Sequence, residues 1–264
     1  EEVLKKGLND LILYEKKKNY IFIKISFTGK DNIISKTILT LDNIHNADSI
    51  PFYKDLKSEL VVEQKEDDSE MLSGFQSIAR REIKKAKNID YNIKRTDSID
   101  DFKAIWNLFE TLSERKGFAY RSLESYIKLI SYARVNKCVD IYIVYYNNIA
   151  IEGVLIVRDR DSSYYLSGAM DIQSLPDRQS SPSCLVQWVA MRNSYQNGTK
   201  YHNLGTRSGN VYQFKKKFRP SEIDNNPPLT LVINKPLFKL WNIILNTLDI
   251  SFFYKIKKII KRNN

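Results

Sequence analysis

Cysteine and histidine are nearly absent from this sequence: its 264 residues hold two of each. Two cysteines rule out a disulfide framework, and neither has metal-ligand spacing. Cys138 and Cys184 stand in apolar stretches and read as buried free thiols. His45 and His202 assemble no nucleophilic triad, and no Gly-x-Ser-x-Gly elbow occurs, so a hydrolase has little support. Glycine is scarce as well, with nine residues against seven prolines, and there is no Gly/Ser-rich or Pro-rich linker and no repeat. No run of eighteen apolar residues occurs, so no stretch reads as a membrane-spanning helix. The first residues, Glu-Glu-Val-Leu-Lys-Lys, do not have the composition of a signal peptide.

What remains is the composition of a globular chain long enough to bury a full core, with 42% hydrophobic and 28% charged residues. Forty-two basic residues face 31 acidic ones, a net charge of +11. From Lys215 onward, eleven Lys or Arg face only Glu222, Asp224 and Asp249. A positive field gathered at one end of the chain points to a polyanionic partner: RNA, phosphate groups or an anionic membrane surface.

Periodicity orders the chain into elements. Tyr20–Ser26 and Ile34–Leu41 are β-rich, with a turn at Gly29-Lys-Asp-Asn. Met71–Lys87 carries Leu72, Phe75, Ile78, Ala79 and Ile83 at helical spacing. Ile89–Lys94 reads as a short strand. Ser98-Ile-Asp-Asp opens a helix whose apolar face is Phe102, Ile105, Trp106, Phe109 and Leu112, and a second helix spans Leu123–Val135. Strands follow at Asp140–Tyr146, Ile149–Arg158 and Ser163–Met170, joined by turns at Asn147-Asn148 and Asp159-Arg-Asp161. A helix capped by Ser181, with Pro182 at its first position, runs to Asn197. Tyr201–Leu204 is a strand, Gly209–Phe218 a short helix and Leu229–Ile233 a last strand. Strand, helix, helix, three strands, helix, strand, helix, strand is the order of an α/β, acetyltransferase-like (GNAT-type) mixed sheet with flanking helices. The domains expected are a reduced N-terminal acetyltransferase-like subdomain (1–87), the catalytic domain (88–235) and a C-terminal basic amphipathic helical segment (236–264).

Four stretches carry a family likeness: Arg80-Arg-Glu-Ile-Lys-Lys-Ala-Lys87, Tyr164-Tyr-Leu-Ser-Gly-Ala-Met-Asp171, Leu185-Val-Gln-Trp-Val-Ala-Met-Arg192, and Tyr201-His-Asn-Leu-Gly205 followed by Val211-Tyr-Gln-Phe-Lys-Lys-Lys-Phe218. Over residues 71–220 the chain resembles the Fem-type peptidyl aminoacyltransferases, which add amino acids to cell-wall precursors. It departs from them in its short first subdomain, and in His202-Asn203 where the family has an aspartate. The resemblance implies transfer of an aminoacyl group from aminoacyl-tRNA to an amine of a lipid-linked or nucleotide-linked envelope precursor. It also implies a cytoplasmic enzyme, peripheral on the inner face of the plasma membrane. No cofactor and no metal is expected.

Acyl transfer to an amine needs alignment of two substrates and a charge to hold the tetrahedral oxyanion. Lys215 matches the family's signature lysine; otherwise it is one of a solvated Lys215–Lys217 run. Phe214 packs beside it or in the core. Tyr164 and Tyr165 alternate faces, so one of them points into a cleft and can bind substrate. Asp171 either receives a proton from the attacking amine or caps a turn. Arg121 pairs with a phosphate or is a surface arginine. Ordinary acetyltransferases hold coenzyme A with a glycine-containing loop ahead of the helix that follows the central strand. The corresponding Asp177-Arg-Gln-Ser-Ser-Pro-Ser183 has no glycine, although Arg178 there can meet a phosphate. The rival to aminoacyl-tRNA is therefore an acyl-CoA-dependent N-acyltransferase acting on an amino sugar or other amine. Aromatic and basic residues interleave over 252–262, which suits an anionic membrane surface.

Overall fold

Three consecutive apolar stretches build the centre of the sheet: β5 (Val139–Tyr146), β6 (Ile149–Arg158) and β7 (Ser162–Met170). Asn147 and Asn148 both take positive φ, +49° and +62°, which is the backbone a tight two-residue hairpin demands. The computed structural model describes residues 22–25, 44–46, 58–117, 120–177, 180–207, 211–224 and 229–247. Around the central strands stand β4 (Asn92–Thr96), β8 (Tyr201–Thr206), β3 (Ser58–Glu63) and β9 (Ser221–Asp224), in the order β4-β5-β6-β7-β8-β3-β9. The pairs from β4 to β7 are antiparallel, and β7 with β8 is parallel. This is the mixed sheet that the element order predicts.

Helices cover both faces, which explains why most of β5 is buried along its whole length. On one face lie α3 (Ile99–Ala104), α4 (Trp106–Lys116) and α5 (Leu123–Val135), packing Phe102, Phe109, Tyr126 and Ile130 on Ile141, Ile143 and Leu155. On the other lies α6 (Ser183–Gln196), which sets Val186 and Ala190 on Tyr142, Val144, Val154 and Ile156. Ahead of β4 come α1 (Asp68–Gly74) and α2 (Ser77–Lys87), whose Met71, Ala79 and Ile83, with Phe75 between the helices, share a core with Cys184, Leu185, Leu204 and Phe218. The short α7 (Val211–Lys216) follows β8.

Two helices expected to be continuous are broken. Phe75 and Gln76 are extended, with ψ of 160° and 150°. Phe75 drops into the core edge-on to Phe218, ring centroids 5.1 Å apart, and the Gln76 N–H donates to Lys217 O at 2.9 Å. That tertiary bond replaces the helical one and splits α1 from α2. Ile105 likewise separates α3 from α4. The strand expected at Ile89–Lys94 lies at Asn92–Thr96, and Pro182 rather than Ser181 is the N-cap of α6.

The chain divides into two compact units, Leu60–Glu222 and the joined ends Glu1–Glu59 with Ile223–Asn264. In the second unit β1 (Phe22–Ile25), β10 (Leu229–Val232) and β2 (Ile44–Asn46) form a separate sheet in the order β1-β10-β2. The last strand of the sequence reading thus pairs with the N-terminal part of the chain and not with the main sheet, because its Leu229–Val232 edge meets Phe22–Ile25 in antiparallel register. The helix α8 (Lys235–Thr247) buries Phe238 and exposes Leu237, Leu240 and Ile243. Residues 34–41 and 252–262 lie outside the described residues. Among the described residues no helix is long and apolar enough to cross a membrane.

Candidate acyl-transfer site

The parallel strands β7 and β8 pair only briefly, from Ser162–Tyr201 to Tyr164–Asn203. Past that point β7 continues from Tyr165 to Met170 and β8 from Leu204 to Thr206 without shared register. Their diverging ends open the sheet.

On the β8 side, Gly205 turns the strand at φ +78°, and its N–H donates to Asn203 Oδ1 at 2.7 Å. Lys215 on α7 is buried, and its Nζ donates to Thr206 O at 2.9 Å. A buried ammonium anchored at the end of a diverging strand is placed to meet charge that develops on an acyl oxygen. Its neighbours differ: Lys216 is exposed over the Tyr212 ring, and Lys217 Nζ donates to both oxygens of Glu82, at 2.7 and 2.8 Å. Phe214 is partly buried and packs edge-on against Phe218, centroids 5.5 Å apart.

On the β7 side, pairing with β6 slips between Leu155 and Ile156, leaving Leu166 as the extra residue of a bulge. Tyr165 and Gly168 consequently lie on the same face. A Cβ on Gly168 would sit 2.3 Å from the Tyr165 hydroxyl, so only glycine leaves room for that ring. From the opposite face the Tyr120 hydroxyl donates to Gly168 O at 2.9 Å, and Tyr126 donates to Ser167 Oγ at 3.1 Å. Burial pushes the Tyr120 phenol up to about 12 and the Tyr165 phenol higher still.

Directly across from Met170, on β6, stands a residue absent from the sequence-derived candidates. Glu152 is 5% exposed. Its Oε1 accepts from Ser183 Oγ at 2.7 Å, while its Oε2 is buried without a partner among the described residues. Burial raises its carboxyl to about 7, against the pull of the Ser183 hydroxyl. The Ser181 and Ser183 hydroxyls both lie 3.5 Å from Met170 Sδ. A lone glutamate in Ile149-Ala-Ile-Glu-Gly-Val-Leu-Ile156 was the available signal.

The other expected residues have other partners or lie elsewhere. Asp171 accepts the Gln173 N–H at 2.9 Å and the Ser174 hydroxyl at 2.6 Å, so both its oxygens serve the turn after β7. The Tyr164 hydroxyl donates to Asp159 Oδ2 at 2.8 Å on the exposed hairpin, while Tyr165 packs against the core. Arg121 is exposed between α4 and α5, and Arg178 lies outside the described residues. His202 is fully buried between Ser163 Oγ, 2.7 Å from Nδ1, and Gln187 Oε1, 3.3 Å from Nε2. Burial drops its pKa to about 3, so it stays neutral and ties β8 to β7 and α6. Cys184 is buried and donates to Glu82, its thiol pushed far up by burial, whereas Cys138 is only half-buried. Among the described residues no group of three His, Cys, Asp or Glu is placed to hold a metal.

The fold is similar to the crystal structure of FemX, with a TM-score of 0.71 at 15% identity, covering 91% of this chain and 79% of that one. It is also similar to L-PGS from Bacillus licheniformis, TM-score 0.54 at 9% identity over 90% and 77% of the two chains. A third relative is the C-terminal domain of a protein described as a lysylphosphatidylglycerol synthetase in Agrobacterium fabrum, TM-score 0.50 at 11% identity over 84% and 72%. No curated protein matches the sequence. The family described as the acetyltransferase (GNAT) domain matches residues 73–216, from α1 through α7, and the chain belongs to that family of acyltransferases.

Proposed function

We propose that this acyltransferase moves an aminoacyl group from aminoacyl-tRNA to an amine on a cell-wall or envelope-saccharide precursor, lipid-linked or nucleotide-linked. The observation that carries the reading is the N-terminus of α6, where an acyl-CoA-dependent relative would seat its pyrophosphate on free backbone N–H groups. Here Pro182 supplies no N–H, and Ser183 is bonded to the buried Glu152 carboxylate. Asp177 in the preceding connection is ion-paired with Lys85 at 3.0 Å. A pyrophosphate brought to this helix end would meet a proline and the Glu152 carboxylate in place of glycine amides, so the residues described there do not fit coenzyme A.

Two further observations support the donor. The chain carries a net charge of +11, which suits a polyanion. The folds it shares include FemX and a protein named for an aminoacylated lipid, lysylphosphatidylglycerol. Arg121 and the Phe214–Lys215 pair are the residues we assign to substrate contact, with Lys215 facing the oxyanion. The acyl-CoA reading rests on the family's description alone.

Binding decides between the two donors. Titration of the full chain with charged tRNA and with acetyl-CoA is expected to show tight, salt-sensitive binding of the first and none of the second. Micromolar affinity for acetyl-CoA, with charged and uncharged unrelated RNA bound alike, would reverse the assignment.

A further inference from the structure

We propose that Glu152 is the proton acceptor of the transfer step, taking the proton from the attacking amine and returning it to the leaving oxygen. The proposal rests on the aminoacyl-transfer reading for the identity of the leaving group and on the structure for the residue.

Two buried carboxylates stand out among the described residues, and they are treated in opposite ways. Asp140, 4% exposed, lies between Arg95 Nε at 2.8 Å and Arg158 Nε at 3.0 Å. Its charge is compensated and fixed. Glu152 is buried as deeply, yet among the described residues no cation pairs with it and Ser183 is its single hydrogen-bond donor. A charge left uncompensated at that depth is costly, so the carboxyl takes up a proton at higher pH than an exposed glutamate does. The titratable groups around it are Tyr165 on β7, Cys184 on α6 and Tyr91 ahead of β4, all of which are neutral acids. None of them supplies a positive charge.

Position is the second argument. Glu152 is paired with Met170, on the half of β7 that has parted from β8, and its Oε2 has no partner among the described residues. The Asp171 carboxylate, one residue beyond Met170, is occupied by its turn. Among the described carboxylates at the diverging ends, Glu152 is therefore the one with an oxygen to spare.

The step balances without another reagent. The neutral amine attacks the ester carbonyl carbon, a C–N bond forms, and the carbonyl electron pair moves to oxygen beside Lys215. Glu152 takes the proton that the nitrogen must shed, directly or through one water. The oxyanion then collapses and the C–O bond to the ribose breaks. The proton on Glu152 goes to the departing ribose oxygen, and the carboxylate is restored. Burial has already raised this acid to about 7, within reach of both transfers at neutral pH.

Two measurements on the full chain test the proposal. Titration of carboxyl-labelled protein by ¹³C NMR is expected to show one resonance, missing in Glu152→Gln, with its midpoint near 7; a midpoint near the ordinary ~4.3 overturns the proposal whatever the donor. The pH dependence of single-turnover transfer is then followed with charged tRNA and, in parallel, with acetyl-CoA. Glu152→Gln keeps the Ser183 bond and the shape of the side chain. It is expected to lose about a hundredfold or more in rate together with the acid limb. Ser183→Ala is expected to move that limb to higher pH, because the hydroxyl stabilises the charged form. A Gln variant that keeps both rate and limb overturns the proposal. Transfer from acetyl-CoA alone would sink the donor reading and leave the Glu152 comparison intact on that donor. With neither donor active, the titration decides.

Discussion

At the scale of single residues, the lysine run shows what burial adds to sequence. Lys215, Lys216 and Lys217 are chemically identical and adjacent, yet one bonds a strand carbonyl, one lies in solvent and one locks Glu82. The position of Phe214-Lys215 was legible from its motif, and the alternative role of Asp171 as a turn cap was legible from Asp-Ile-Gln-Ser. Glu152 was not, because an isolated glutamate within an apolar strand carries no spacing to mark its depth or its missing cation. The lysines make a controlled comparison. Lys215→Met is expected to lose about a hundredfold in transfer rate, the usual cost of one oxyanion donor. It also leaves the Thr206 carbonyl short of a donor, at about 1–3 kcal/mol in stability. Lys216→Met is expected to keep its rate and to stay within ~0.5 kcal/mol in stability. Lys217→Met is expected to lose stability, since Glu82 loses its ion pair, with little change in rate. Single-turnover rates and thermal melts of the three variants check this; equal, mild rate losses would reduce the run to a general basic patch.

At the scale of elements, the sheet's centre was legible because short apolar runs, an Asn-Asn hairpin and capped helices all agree. The parts that were missed depend on partners far along the chain. β3 goes unread in the sequence, and just past its end Gln64 N–H bonds Lys200 O from far along the chain; the α1–α2 break exists where Phe75 has Phe218 to pack on. The β7 bulge belongs with these. Leu166 is the residue it leaves over, 39% exposed, and without it Tyr165 and Gly168 would fall on opposite faces. The bulge therefore sets the Tyr165 ring against the one position in its path that has no Cβ. Gly168→Ala places a methyl 2.3 Å from the hydroxyl and 3.0 Å from two ring carbons. The expected cost is about 1–3 kcal/mol, as for other overpacked interiors. Shortening the ring in Gly168→Ala/Tyr165→Leu removes the clash, so the double mutant is expected to be more stable than the sum of the single changes by about 1 kcal/mol. Denaturant melts of the four proteins measure that coupling. Additive losses would mean that the glycine is there for another reason.

At the scale of the whole molecule, two buried groups on neighbouring parts of the sheet set opposing pH dependences of stability. His202 has its pKa lowered from 6.5 to about 3, so between those values the unfolded chain binds a proton that the folded chain does not. Its contribution is complete above 6.5 and is lost as pH falls, at about 1.4 kcal/mol per unit. Glu152 has its pKa raised from 4.5 to about 7, so between those values the folded chain holds the extra proton. Its contribution is complete below 4.5 and is lost as pH rises, with a slope of the same size and opposite sign. The two windows overlap from 4.5 to 6.5. There the slopes cancel, and the wild-type unfolding free energy is expected to be nearly flat. Below 4.5 the Glu152 term is spent while His202 continues, so stability falls with further acidification. Exposed carboxylates held low by their neighbours, Asp67, Asp101 and Glu124, add to that acid fall in every variant and drop out of the differences. Glu152→Gln is expected to uncover the histidine slope, losing stability on acidification throughout the overlap. His202→Gln is expected to do the reverse and gain stability over the same range. Urea melts at half-unit steps from pH 4.5 to 7 distinguish the three curves. If they run parallel, neither group titrates differently in the folded chain, and the buried, unpaired Glu152 that anchors the proton-transfer proposal would have to be hydrated instead.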